Sequence, residues 1–155
     1  MRQTFVFAAC MAMLAAFAPL AQAQDEAAGV TKAQVTGLWK GTITNGNIEE
    51  HWVIHRQRTG LFKISRLYID KERKLYARIM NRGEWSFEDG TITLSIRYEK
   101  DRKFSVTSAT AEGISLTNLR TEAALQETAA KAMILPAAPQ GYKLVQRDEL
   151  MATAN

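Results

Sequence analysis

The chain has 155 residues, one cysteine and two histidines, with 20 Lys and Arg against 16 Asp and Glu. The net charge of +4 is mild and interspersed with acids, so it does not argue for a nucleic-acid partner. This length suits one domain with a real core, and a single cysteine, Cys10, excludes an internal disulfide.

The first stretch reads as a targeting segment. Arg2 supplies a positive charge, Thr4 to Leu20 is apolar, and Ala21-Gln22-Ala23 is a small-x-small cleavage pattern. These features predict a signal peptide over 1–23, a periplasmic or secreted mature protein, and no transmembrane span in the mature chain. Residues 24–34, polar and alanine-rich, are expected to form a flexible arm.

The barrel region, 35–147, follows. Val35 to Thr44 reads as a first strand in which Gly37-Leu38-Trp39-Lys40-Gly41 sets an indole between two glycines, a sign of close backbone approach. Asn45-Gly46 predicts a tight hairpin. Ile48 to Gln57 is the second strand, with Trp52 and Ile54 on one face and His51, Val53 and His55 on the other. Leu61 to Asp70 is the third, and it puts Phe62, Ile64, Arg66 and Tyr68 together. Leu75 to Met80 is the fourth, with Tyr76, Arg78 and Met80 on one face; Asn81-Arg82-Gly83 is expected to break it before Glu84 to Phe87 resumes.

After Glu88-Asp89-Gly90, residues 91–98 alternate strictly: Ile92, Leu94, Ile96 and Tyr98 on one side, Thr91, Thr93, Ser95 and Arg97 on the other. Phe104 to Ser108 and Ile114 to Leu119 are further strands. The period then changes. Thr121 to Leu135 is alanine-rich, with Leu125, Ala129 and Met133 four apart, Thr121 as a cap and Pro136 as a stop, which predicts a helix over 121–135. Tyr142 to Arg147 reads as a last strand and 148–155 as a polar tail. Together these predict a mainly β protein: an antiparallel up-and-down barrel of eight to nine strands, with one α-helix inserted before the last.

Gly37-x-Trp39 near the start of the mature chain, Arg82-Gly83-Glu84-Trp85 running on to Asp89-Gly90, and the closing Lys143 to Arg147 resemble the lipocalin (calycin) barrels, especially the small lipocalin-like proteins that bacteria export. The family's T-D-Y signature is absent. The resemblance implies that Trp39 plugs one end of the barrel and that Arg147 stacks over it. It also implies a ligand-binding interior.

The residues themselves offer candidates for such a site. If the faces bearing Arg66 with Tyr68, and Arg78 with Tyr76, line a cavity, a guanidinium among aromatics makes a carboxylate receptor, with Trp39 or Trp52 available for stacking. Alternatively both arginines face water and their stems cover apolar surface. Basic residues near turns, Arg56, Arg73 and Arg102 among them, are expected to be solvated edges. Asp70, Asp89 and Asp148 sit beside turns or ends, where solvation accounts for them.

His51 and His55, about 13 Å apart along a strand, do not suit one metal ion. No nucleophile elbow, phosphate loop or paired acids are evident, so neither enzyme activity nor a cofactor is expected. The leading expectation is therefore a non-catalytic binder of a small amphipathic, acid-bearing, lipid-like ligand. The alternative is an envelope protein–protein interaction or inhibitor module that uses the 121–139 insertion.

Overall fold

A computed structural model describes residues 29–152 of the chain. The expected signal peptide and most of the arm lie outside these residues, as does the end of the tail. A short helix α1 (Lys32–Val35) leads into eight strands: β1 (Gly37–Asn45), β2 (Ile48–Arg56), β3 (Leu61–Asp70), β4 (Leu75–Glu88), β5 (Thr91–Ser95), β6 (Arg102–Ala109), β7 (Gly113–Asn118) and β8 (Ala124–Ala129). Each pairs antiparallel with the next, and β8 returns to β1, so the sheet closes on itself. Closure removes both open edges, which a meander otherwise leaves available for aggregation.

Pairing fixes which side chains face inward. Trp39 stands opposite Ile54, and Ile54 opposite Ile64; on the next row Gly41 stands opposite Trp52, and Trp52 opposite Arg66. Across the closing seam Glu127 of β8 stands opposite Gly41. Glu127, Gly41, Trp52 and Arg66 therefore form one inward-facing row over four strands. The main core lies within this wall and includes Trp39, Ile54, Phe62, Trp85, Ile92 and Ile114.

Several expectations are corrected here. Residues 121–135 are not a helix: Ala124–Ala129 is strand β8. Leu, Gln, Glu and Ala there favour helix locally, but pairing with the edges of both β1 and β7 outweighs that propensity, and the bonds from Arg56 and Trp52 compensate the burial of Glu127. β4 is likewise unbroken. Its Gly83 lets β5 cross closely, since a Cβ there would lie 2.0 Å from the Ser95 carbonyl oxygen.

The expected last strand shrinks to β9 (Lys143–Leu144), parallel to β4 at Leu75 and Tyr76. Between β8 and β9 the chain straps the outside of the barrel, passing over Val53 and taking a hydrogen bond from Arg78 to the Pro136 carbonyl at 3.1 Å. The outward-facing Val53 and Leu67 are accordingly as buried as the core. The tail is not simply polar either. It begins helix α2 (Arg147–Met151), whose fully buried Leu150 packs with Ile48, Tyr68, Ala77 and Val145.

The two ends of the barrel thus differ. At one, α1 brings Val35 against the core, and the Val35 carbonyl accepts a 2.9 Å bond from Arg56 Nε; this is the closed floor. At the other, α2 covers part of the mouth. Arg73 holds it there, donating to the Leu150 carbonyl at 2.6 Å and to Asp70 Oδ2 at 2.7 Å.

Candidate functional site

A cavity of about 170 Å³ lies inside the barrel. Ile43, Trp52, Ile54, Ile64, Leu94, Phe104, Leu116 and Leu125 give it apolar walls, and Arg56, Glu127, Arg66, Glu50 and Arg102 are its charged groups. Asn45 and Asn118, at the mouth ends of β1 and β7, and Thr121 from the β7–β8 loop also line it. Outside that opening lies a vestibule bordered by Glu50, Tyr68, Arg102 and Arg147.

The charges fall into two groups. Deep in the barrel, Arg56 is 1% exposed and grips Glu127 with both terminal nitrogens, Nη2 to Oε2 and Nη1 to Oε1, the latter at 3.4 Å. Trp52 Nε1 adds a 3.0 Å bond to Oε1. This arrangement depends on Gly41: a Cβ there would fall 2.2 Å from the Trp52 ring, so only glycine lets the indole lie across β1 to reach Glu127. Every nitrogen of Arg56 has an acceptor, as a buried guanidinium requires.

Nearer the mouth, Arg66 is 3% exposed and much less well satisfied. Its Nε lies 3.4 Å from Glu50 Oε1, a side chain that is itself 25% exposed. Its Nη1 is buried and makes no hydrogen bond. Burial pushes the Arg66 pKa below its ordinary value; Tyr68 and Glu50 pull it back, while the like charge of Arg102 pushes it further down. Burial likewise raises the pKa of Tyr68. Arg102 is turned toward Glu99, at 3.0 Å. Arg66 thus lines the cavity and carries a buried donor, Nη1, with no hydrogen-bond partner among the described residues. Such a group can bind an anion's oxygen strongly because little water competes for it.

The sequence candidates are distributed unevenly over this picture. Trp52 and Arg66 line the cavity, and Tyr68 lies just outside it, under α2. Trp39 is buried in the core at the floor end, not in the cavity wall. Arg78 and Tyr76 do not line it: Arg78 is exposed and bonded to the strap, and Tyr76 is half-buried beside β9. The inward residues of that strand are Ala77 and Ile79, opposite Tyr68 and Arg66. Arg147 does not stack over Trp39. It lies 5.9 Å from the ring of Tyr68, at the other end of the barrel, because the chain after β8 returns to the mouth.

Arg56 and Asp70, taken from sequence as solvated, are buried and paired. Glu127 went unseen as an interior residue because a helical reading sets it on the face opposite Leu125 and Ala129, whereas a strand reading gathers all three on one face. The 121–139 insertion does not exist as a projecting module, since its first part is barrel wall and the rest is strap.

Among the described residues no three His, Cys, Asp or Glu gather in position to hold a metal ion. His51 faces outward, between Glu49 (2.6 Å) and the Thr42 hydroxyl (3.0 Å). No described helix is long and apolar enough to cross a membrane.

The closed eight-stranded antiparallel meander, with a cavity opening at one end, is compatible with a lipocalin-like fold. In comparisons with known proteins, no protein-family model matches the chain and no curated protein matches it in sequence.

Proposed function

We propose that this chain is an exported, lipocalin-like, non-catalytic barrel that binds a small amphipathic molecule through its acid group. The observation that carries this reading is the Arg66 Nη1 donor, buried and unsatisfied within an apolar cavity. A carboxylate placed there gains a charge-assisted hydrogen bond, and its apolar part is covered by Ile54, Ile64 and Leu116. Export is supported by Arg2, the apolar run and Ala21-Gln22-Ala23.

Calorimetric titration of the purified chain with hexanoate and with 1-hexanol tests the reading. Hexanoate should bind and the alcohol bind at least tenfold more weakly, and Arg66→Met should remove that preference. A charge-assisted bond of about 1.5–3 kcal/mol corresponds to roughly 10- to 100-fold in affinity. Equal binding of acid and alcohol, or a preference that survives in Arg66→Met, would overturn it.

A further inference from the structure

The chamber behind Arg66 limits what an acid can carry into it. Resting on the acid-binding reading above, we propose that the ligand is a short monocarboxylic acid bound head outward and tail inward, its apolar body a single ring or a chain of about six carbons.

Orientation follows from where the charges lie. Arg66 is paired with Glu50 and close to Arg102, and both of those residues line the cavity and the outer vestibule alike. The head site is therefore on the mouth side. Beyond it the walls are apolar down to the Arg56–Glu127–Trp52 group, whose donors are already engaged. Each nitrogen of that floor group already has an acceptor, so it offers no unpartnered nitrogen to a second acid. A tail that points inward also has no exit, because Val35 and Trp39 close the end beyond.

Size follows from volume. The cavity measures about 170 Å³. An apolar protein cavity of about 150 Å³ accommodates benzene, whereas pockets for larger ligands run to roughly 300–1,000 Å³. A long-chain fatty acid with its head at Arg66 cannot house its tail. The charge count points to a monoanion: of the described residues that line this cavity, Arg66 alone has a buried donor without a partner, with Glu50 beside it and Glu99 holding Arg102.

A chain-length series read by calorimetry on the full chain tests this, using butanoate, hexanoate, octanoate, dodecanoate and hexadecanoate, with benzoate alongside. Affinity should rise from butanoate to hexanoate, and fall by at least about tenfold by dodecanoate, with benzoate matching hexanoate. A steady rise through hexadecanoate would overturn the size limit and leave acid binding intact. Failure of every acid would overturn both. Leu116→Ala, which enlarges the inner chamber, should move the break to longer chains. Should that variant not fold, Leu125→Ala, half-buried on the same wall, gives the same readout. A break that stays in place in a folded variant would also overturn the proposal.

Discussion

Arg56 and Arg66 stand on adjacent strands, face the same interior and are both almost wholly buried. Arg56 is enclosed by partners: a carboxylate held by two nitrogens, a backbone carbonyl for the third, and an indole N–H completing the carboxylate's own shell. Arg66 has a long contact with a partly exposed glutamate, a side-chain interaction with Tyr68, and a terminal nitrogen with no partner. Two identical side chains ten residues apart therefore serve different ends. The enclosed one ties β2 to β8 and to the N-terminal helix, and the open one keeps unspent binding capacity. Burial alone does not distinguish structural from ligand-binding charge; the completeness of its hydrogen bonding does.

The sharpest way to break this contrast is Glu127→Gln, which strands Arg56 without its counter-charge. Losing one partner of a buried pair costs about 3–5 kcal/mol, so urea denaturation should show a loss of that order. Gly41→Ala attacks the same group from the side, by forcing Trp52 off Glu127. Overpacking of this kind costs about 1–3 kcal/mol, and a near-ultraviolet dichroism change should accompany it because the indole moves.

A pair at the rim is expected to fall between the two extremes. Burial raises the Asp70 pKa, but the Arg73 backbone N–H and guanidinium more than offset this, and the carboxyl titrates below its usual range. A depressed folded-state pKa means stabilisation that is fully present above the unfolded value and lost as pH falls through the folded one. Asp70→Asn should thus cost about 1–2 kcal/mol at neutral pH, with the gap to wild type closing in acid; a gap that persists at pH 2 would show that charge is not the cause.

Arg66→Met should have the smallest effect on stability. It relieves an incompletely satisfied buried charge and leaves Glu50 able to reach water, so the unfolding free energy from urea denaturation should hold or rise by about 1 kcal/mol. A loss like that of Glu127→Gln would erase the distinction between the two arginines.

How much of this the sequence disclosed depends on how local the cause was. β1 to β3, β6 and β7 were legible because alternation and the Asn45-Gly46 and Asp89-Gly90 turns are written within a few residues, whereas β4 was read as broken at 81–83 and the alternation of β5 was carried on to Tyr98, which lies exposed in a turn beyond its end at Ser95. β8 was not, because its conformation is set by an edge about ninety residues away, at Trp39 and Gly41, against helix-favouring side chains. Arg66 was legible as an arginine among Phe62, Ile64 and Tyr68. Arg78 misled because the outer face of β4 carries Tyr76 and Met80, while the inner face carries the smaller Ala77 and the polar Asn81. Arg56 looked like a strand-end charge, since only the closed barrel brings Glu127 within its reach.

The placement of the two short helices has a practical consequence. α1 lies at the sealed end and α2 beside the opening. Immobilising the protein through its N-terminal side leaves the entrance facing solution, whereas a bulky fusion joined after α2 hangs over the doorway. Sensor formats built on this barrel should therefore give different responses according to which terminus is anchored.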